Sequence, residues 1–92
     1  MTAPSHARLL ELLVTLETHL EHRSGRSGVS DALYQCGRLR HALEHAHSEG
    51  ARFAAFTLGR LVGTALADDA EAARAFDALK QAMVDAGHRL AH

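Results

Sequence analysis

The sequence predicts an all-α protein, a small antiparallel four-helix bundle that forms a single domain over residues 1–92. Alanine and leucine dominate, β-branched residues are few, and the only proline is Pro4. Apolar residues recur at steps of three and four along most of the chain, which is the period of an amphipathic helix. A chain of 92 residues buries only about 60–65 % of the surface of its unfolded form, and oligomerisation commonly stabilises such small domains. We therefore expect a homodimer that associates through apolar helix faces.

Helix 1 is predicted over about residues 5–21, with Ser5 as its N-cap. Its apolar residues cover more than half of the helix circumference, which is wider than the stripe of an ordinary surface helix. They are Leu9, Leu10, Leu12, Leu13, Val14, Leu16 and Leu20. Such a helix is expected to contact two neighbours, or one neighbour and a second subunit. Residues 23–28 repeat the triplet RSG and are predicted to form a flexible linker.

Helix 2 is predicted over about residues 30–48 and is ended by Gly50. Its apolar residues alternate steps of three and four, as in a coiled-coil seam. They are Val29, Ala32, Cys36, Leu39, Leu43 and Ala46. Helix 3, over about residues 51–67, is apolar around most of its circumference and is predicted to be the most buried helix. A single helix that runs through Gly50 with a bend is the alternative.

Small residues recur at every fourth position of helix 3. They are Ala51, Ala55, Gly59, Gly63 and Ala67. A step of four places them in one row, and each interior glycine costs about 0.8–1 kcal/mol relative to alanine, so a close helix contact is expected to offset that cost. The row is expected either to pack against helix 1 or helix 4 of the same subunit or to form a dimer contact. Helix 1 offers a second candidate interface at Leu9, Leu10, Leu13 and Val14.

Helix 4 is predicted over about residues 69–91, with Asp68 as its N-cap and Glu71 completing a capping box. Its apolar residues again follow the three-four spacing. They are Ala72, Phe76, Leu79, Met83, Ala86 and Leu90. The connections between helices 2, 3 and 4 are short, so these helices are expected to lie antiparallel.

The composition argues against several classes of function. Ten basic and eleven acidic residues are interspersed and give a net charge of −1, which is not the clustered positive charge of a nucleic-acid-binding protein. No apolar segment is long enough to cross a bilayer, and the amino terminus lacks the features of a signal peptide. The single Cys36 lies on the seam of helix 2, where a free cysteine is a small apolar side chain, and it suits a reducing compartment. A cytoplasmic protein is expected.

Eight histidines are many for a chain of this length. Two pairs are spaced four residues apart and so share a helix face, which is a chelating arrangement. They are His41 with His45 and His88 with His92. A helical bundle that binds zinc, copper or nickel is therefore an alternative function, although no third ligand is identified by a motif.

The segment His41-Ala42-Leu43-Glu44-His45, with Gly50-Ala51 after it, resembles a histidine-containing phosphotransfer domain. The resemblance implies a four-helix bundle in which His41 accepts a phosphoryl group from an aspartyl phosphate. Glu44 occupies the position of a lysine that helps to hold the phosphate in that family, and His45 occupies the position of a glycine. The stretch before Gly50 is also one residue shorter than in the family pattern.

The sequence contains no motif that frames a catalytic nucleophile or a phosphate-binding loop, so an enzyme is not expected and neither is a cofactor. The surplus of apolar helix surface favours a small regulatory or adaptor protein that acts by helix-mediated protein–protein interaction. An inhibitor of a larger protein assembly is one example of such a protein. The sequence does not identify its protein partner.

Overall fold

The computed structural model describes residues 3–88, which form four α-helices. The helices are α1 (Ala3–Glu21), α2 (Val29–Glu44), α3 (Ser48–Gly63) and α4 (Ala70–Asp85). Helix α1 packs against α2 and α4, and α3 packs against the same two helices, so the four enclose one core. The connections are short, which makes consecutive helices antiparallel. The predicted all-α four-helix bundle is confirmed for the described residues.

The core consists of one buried row of side chains from each helix. Its members are Leu9, Leu13, Leu16 and Leu20 of α1, Val29, Ala32, Cys36 and Leu39 of α2, Ala51, Ala55, Leu58 and Val62 of α3, and Ala72, Phe76, Leu79 and Met83 of α4. Leu12 of α1 is also buried. Burial of one leucine contributes about 1.5–3 kcal/mol, so the five buried leucines of α1 are a large part of the driving force. The seams predicted for helices 2 and 4 are thus confirmed at these positions, whereas Ala46 is exposed.

Helix α1 has a wide apolar arc because it lies between two neighbours, α2 and α4. Leu9 and Leu13 are buried in the core, and Leu10 packs against the core from its edge. Val14 is 49 % exposed and marks the outer limit of the arc. The surface that was considered a second interface is therefore used mainly inside the subunit, and only Val14 is left largely uncovered.

Helix α3 is not the most buried helix, and that prediction is wrong. Phe53 and Phe56 are 58 % and 38 % exposed, whereas the alanines of the same helix are buried. Ala51, Ala54 and Ala55 face the core, where short side chains let the α2 and α3 backbones approach closely. Two phenylalanine rings do not fit in so narrow a seam, and they lie on the outer side of α3.

The row of small residues on α3 is divided between the core and the surface. Ala51 and Ala55 are buried, and Gly59 accommodates a side chain of α4, because a Cβ atom at that position would lie 3.0 Å from Cζ of Phe76. Gly63 is exposed, and a Cβ atom there would meet nothing within 4 Å. Ala67 follows the end of the helix and is also exposed, so it does not extend the row. The close contact was correctly anticipated at one glycine only.

Helix α2 ends at Glu44 and not near residue 48, because the chain forms a Schellman turn. The His47 N–H donates to the Ala42 carbonyl at 2.8 Å, and the Ala46 N–H donates to the Leu43 carbonyl at 3.3 Å. Ala46 has a left-handed backbone with φ of 52°. This turn separates α2 from α3, so the alternative of one continuous bent helix is wrong. The predicted helix terminator, residue 50, lies in the first turn of α3.

The turn between α3 and α4 also differs from the prediction. Helix α3 ends at Gly63 and not at 67, and the Leu66 N–H donates to the Leu61 carbonyl at 3.0 Å. The N-cap of α4 is Asp69, not Asp68, and its carboxylate accepts the Ala72 N–H at 3.0 Å. The predicted capping box therefore does not form.

The start of the first helix and the end of the last helix also differ from the prediction. Helix α1 begins at Ala3, so Ser5 lies inside the helix and is not its cap. Helix α4 ends at Asp85 in a second Schellman turn, with Gly87 at φ of 95° and a 2.9 Å hydrogen bond from the His88 N–H to the Met83 carbonyl. The predicted end at 91 lies outside the described residues.

The RSGRSG segment, predicted to be flexible, folds into a series of hydrogen-bonded turns. The Arg23 N–H donates to the Leu20 carbonyl at 2.9 Å, and the Arg26 N–H donates to the Arg23 carbonyl at 3.1 Å. Gly28 has φ of 87°, and a Cβ atom there would lie 2.5 Å from Cβ of Ala65. The segment therefore needs glycine at residue 28, both for the backbone angle and for contact with the α3–α4 connection.

Candidate functional site

A surface hollow of about 620 Å³ lies where α2 meets the start of α3. Its volume falls within the roughly 300–1,000 Å³ that is typical of small-ligand sites. The lining residues are Leu33, Tyr34, Gly37, Arg38, His41, Ala42, His45, His47 and Gly50. We call this feature the α2–α3 hollow.

Helix α2 supplies most of the lining because its contributing residues fall on one helix face. Successive pairs, 33–34, 37–38 and 41–42, are separated by one helical turn, and His45 continues the row. The Schellman turn after Glu44 brings His47 to the edge of the same hollow, and the first turn of α3 adds Gly50. The tight turn thus joins residues of two helices into one concave surface.

The hydrogen bonds of the hollow assign a proton to each of two imidazole rings. Nδ1 of His45 lies 2.8 Å from the His41 carbonyl oxygen, which can only accept, so Nδ1 of His45 donates. Nδ1 of His47 accepts the Gly50 N–H at 3.0 Å and caps the start of α3. The ring proton of neutral His47 is therefore on Nε2, which makes that nitrogen a donor. The rings of His41 and His45 are stacked with a centroid separation of 4.1 Å.

The two glycines of the hollow differ in what a side chain would meet. A Cβ atom at Gly50 would lie 2.7 Å from Nδ1 of His47, so glycine is needed there for the histidine cap. A Cβ atom at Gly37 would meet nothing within 4 Å, although this residue lies in the middle of α2. A glycine inside a helix costs about 1 kcal/mol relative to alanine. Packing within the subunit does not account for glycine at position 37.

The electrostatic character of the hollow is one-sided. Its polar lining consists of Arg38, the hydroxyl of Tyr34 and three histidines, and none of its nine residues is acidic. The guanidinium carbon of Arg38 lies 5.9 Å from the centroid of the Phe53 ring, at the distance of a cation–π contact. The hollow therefore presents the positive charge of Arg38 and a donor at Nε2 of neutral His47, beside an acceptor at Nε2 of neutral His45.

A second surface feature is the outer face of α3, which we define by Phe53 and Phe56. These rings are three residues apart on one side of the helix, and with Glu49 and Arg52 they line a shallow depression of about 180 Å³. Glu49 and Arg52 form an exposed ion pair at 3.5 Å. The outer face of α3 therefore combines two exposed aromatic rings with charged residues at its margin.

The structure brings together one of the two predicted histidine pairs. His41 and His45 lie side by side, and His47, which the sequence analysis did not single out, joins them at the hollow. His88 follows the end of α4, and His92 lies outside the described residues. Within residues 3–88, no three histidine, cysteine, aspartate or glutamate side chains converge at a spacing suited to a metal ion.

His41, the proposed phospho-acceptor, is exposed on α2 of the bundle. Its ring is stacked against His45, at the position where the phosphotransfer pattern has a glycine. Glu44 is exposed on the same helix, one position before that histidine. The immediate surroundings of His41 therefore differ from the phosphotransfer pattern at Glu44 and His45, the two positions at which the sequence differs from it.

The opposite end of the bundle holds a buried ionic cluster that the sequence analysis did not anticipate. Nε2 of His19 lies 2.9 Å from both carboxylate oxygens of Asp69, and its Nδ1 lies 3.1 Å from Oε2 of Glu71. Nε of Arg23 lies 3.8 Å from the carboxylate of Asp69. Both ring nitrogens of His19 therefore face carboxylates. We call this arrangement the Asp69 cluster.

The charges around Asp69 are balanced by specific bonds. Burial by itself would raise the pKa of Asp69, but the Ala72 N–H, the His19 ring and the charge of Arg23 outweigh it and hold that pKa below its usual range. Nearby, hydrogen bonds and charge from Arg26 lower the pKa of the exposed Asp68, which accepts from that guanidinium at 2.7 Å. This end of the bundle is therefore held by charge-assisted hydrogen bonds.

The thiol of Cys36, in the core of the bundle, also has a shifted pKa. Burial raises the pKa of its thiol to about 12, the charge of Glu17 adds to this effect, and the charge of Arg40 opposes it. A thiol with so high a pKa is almost entirely protonated at neutral pH and is a poor nucleophile. Cys36 therefore packs as an apolar core residue, in agreement with its position on the seam.

Comparison with known proteins finds no matching family model, no matching curated protein and no matching solved structure. Among the described helices, none has both the length and the apolarity that a bilayer-spanning segment requires. Function therefore has to be inferred from the two surface features, the α2–α3 hollow and the outer face of α3.

Proposed function

We propose that the protein is a small non-enzymatic regulatory or adaptor module whose outer face of α3 binds an amphipathic helix of a protein partner. The observation that carries the proposal is the exposure of Phe53 and Phe56, 58 % and 38 %, on one side of a single helix. Covering both rings would remove roughly 200 Å² of apolar surface from water, on the order of 5 kcal/mol before the costs of association.

The charges at the margin of this face indicate the kind of helix that fits. Arg38 lies over the Phe53 ring, Arg52 borders the shallow depression, and Arg60 is exposed one helical turn beyond Phe56. Glu49 offsets one of these three positive charges. A partner helix with apolar residues at i and i+4, flanked by aspartate or glutamate, would complement both the rings and the net positive margin.

The exposed small residues at the end of α3 favour the same geometry. Gly63 has open space around the position of its missing side chain, and Ala67 is also exposed. A helix that crosses the outer face of α3 near these residues can approach the backbone closely and gain dispersion contacts. A second copy of this chain is the alternative occupant of the same surface, and the expected homodimer would then form through the outer face of α3.

Selection from a displayed library of helical peptides tests the proposal directly. The purified full chain serves as bait, and the same selection is run on the double variant Phe53→Ser/Phe56→Ser. The control is Val84→Ser, since Val84 is 50 % exposed on α4 and lies away from the face. Thermal melting first establishes that all three proteins are folded.

We expect amphipathic peptides with acidic flanks to bind the unaltered protein and Val84→Ser, and to lose at least about tenfold in affinity for the double variant. Equal binding to the double variant would contradict the proposal, as would selection of peptides with no common pattern. Native mass spectrometry of the same three proteins identifies self-association. A dimer that is lost only in the double variant would assign the face to a second copy and not to a foreign partner.

A further inference from the structure

We infer that the α2–α3 hollow is a binding site for a small organic anion with a flat apolar body, such as an aromatic carboxylate or sulfonate. The inference does not depend on the proposed role of the outer face of α3, because neither phenylalanine of that face lines the hollow. It depends on the size, the charge, the apolar surface and the backbone of the hollow.

The polar groups of the hollow select for negative charge. Arg38 provides a permanent cation with several N–H donors, and neutral His47 offers its Nε2–H because its Nδ1 is occupied by the Gly50 N–H. Tyr34 adds a hydroxyl group, and its residue is 65 % exposed, so this group is accessible. With no carboxylate among the lining residues, an anion meets attraction and no opposing charge at the wall of the hollow.

The remaining lining accepts an apolar body. Leu33 and Ala42 contribute aliphatic surface, the Tyr34 ring contributes an aromatic face, and the two glycines contribute bare backbone. Aromatic ligands stack on such a ring in offset or edge-to-face geometry. An anion that also carries a flat ring system therefore matches both kinds of lining, whereas a small inorganic ion would leave most of the 620 Å³ unfilled.

The backbone keeps the hollow open at a cost to stability. Gly37 lies inside α2, where alanine would be more favourable by about 1 kcal/mol, yet no neighbour needs the space that its missing Cβ leaves. Ala46, in the turn that places His45 and His47, has φ of 52°, a conformation that residues other than glycine rarely adopt. Gly37 and Ala46 both lower the stability of the backbone, and both lie at one surface site. Such a pair is expected where ligand binding, and not folding stability, determines the residue type.

The test uses two fluorescent probes that share one aromatic body. 1-Anilinonaphthalene-8-sulfonate carries the negative charge, and N-phenyl-1-naphthylamine is the same molecule without the sulfonate. We expect the sulfonate to bind saturably with one-to-one stoichiometry, and about tenfold or more tightly than the neutral probe, as a charge-assisted contact implies.

Variants of the hollow locate the binding. Gly37→Leu places a side chain in the open space and replaces a poor helix former, so it should weaken the sulfonate probe about tenfold or more without lowering the melting temperature. Arg38→Met should weaken the sulfonate probe by about the same factor and change the neutral probe by less than about threefold. Phe56→Ser, which keeps the contact between Arg38 and the Phe53 ring, should leave both affinities unchanged.

Several results would overturn the inference. Binding that is unsaturable, unaffected by Gly37→Leu, or equal for the two probes would remove the site or its preference for anions. Binding lost in Phe56→Ser but kept in Gly37→Leu would place the probe on the outer face of α3. That last result would leave the proposed protein-binding role of α3 intact, so the two proposals fail separately. Chemical-shift changes at the Gly37 and Gly50 amides provide the confirming measurement.

Discussion

The two ends of the bundle use similar residue types in opposite ways. At one end, where α1 finishes and α4 begins, a histidine and two arginines are paired with aspartates, as in the Asp69 cluster and the Arg26–Asp68 pair. At the other end, where α2 turns into α3, an arginine and three histidines line an open hollow that contains no acidic residue. The first end pairs its cationic groups with carboxylates, whereas the second leaves Arg38 and Nε2 of His47 available for a ligand.

A second contrast lies within the end that carries the hollow, between two turns of one type. Helices α2 and α4 both end in Schellman turns, which place one residue in the left-handed region. At the end of α4 that residue is Gly87, which adopts φ of 95° without a steric cost. At the end of α2 it is Ala46, with φ of 52°, and the strained turn borders the hollow. Both turns lie at the same end of the bundle, so the comparison shows that the strained residue is found in the turn that borders the candidate site.

The largest expected effect concerns the end where α1 finishes and α4 begins, which we call the paired end because its charged groups form ion pairs. Asp69→Ala removes the N-cap of α4 and leaves His19 and Arg23 without their buried partner, so we expect a loss of about 3 kcal/mol in the free energy of unfolding. For a domain of this size that loss lowers the melting temperature by roughly 12–24 °C. Urea titration followed by circular dichroism measures the change. Asp68→Ala is the matched control. Because Asp68 is exposed, this variant should have a melting temperature close to that of the unaltered protein. Equal losses of stability at the two positions would contradict the assignment of Asp69 as the N-cap and buried ionic partner.

The second prediction is that acid weakens the paired end first. The folded-state pKa of Asp69 lies below its unfolded value, so its stabilising contribution is complete above the unfolded pKa, about 3.9. That contribution is lost as the pH falls through the lower folded-state pKa. Melting temperatures measured from pH 6 down to pH 2 should therefore fall steeply below about pH 4.

Asp69→Asn provides the control for the fall in melting temperature at low pH. Asparagine keeps a side-chain oxygen that can cap α4, but it cannot lose a charge in acid. The variant should be less stable than the unaltered protein at pH 6 and should show a shallower decline below pH 4. Parallel curves for the two proteins would show that acid lability originates elsewhere in the chain.

The smallest expected effect concerns the strained turn at the other end. Ala46→Gly relieves the left-handed alanine and should stabilise the protein by about 1 kcal/mol, less the entropy that glycine adds to the unfolded chain. Ala78→Gly, at an exposed position inside α4, is the matched control and should destabilise by about 1 kcal/mol. Chemical denaturation resolves the sign. A loss of stability in Ala46→Gly would show that the turn carries no strain.

The sequence predicted the number of helices and their buried rows well, but it predicted helix ends less well. The three-four spacing identified Leu39 and Leu79 as core residues, since that pattern is a property of each helix alone. The end of α2 was missed because glycine was expected at the left-handed position, and alanine occupies it. The cap of α4 was placed one residue early, at Asp68, because both consecutive aspartates satisfy the same local rule.

The candidate site was predicted only in part. The spacing of His41 and His45 placed them on one helix face, and the structure confirms that they are adjacent. Gly37, Arg38 and His47 were not singled out, because a concave surface depends on how two helices meet and on the turn between them. An interior glycine with no packing neighbour was the one signal available, but its lack of neighbours is visible only in three dimensions.

The sequence by itself determined that this chain forms four amphipathic helices around a leucine- and alanine-rich core, because hydrophobic period and helix propensity are local properties. The tertiary structure alone decided that the phenylalanines of α3 face outward and that Ala51, Ala54 and Ala55 are buried instead. It alone joined His19 to Asp69 across 50 residues of sequence. Such pairings depend on distances between backbones that fold from distant segments, and no local pattern encodes those distances.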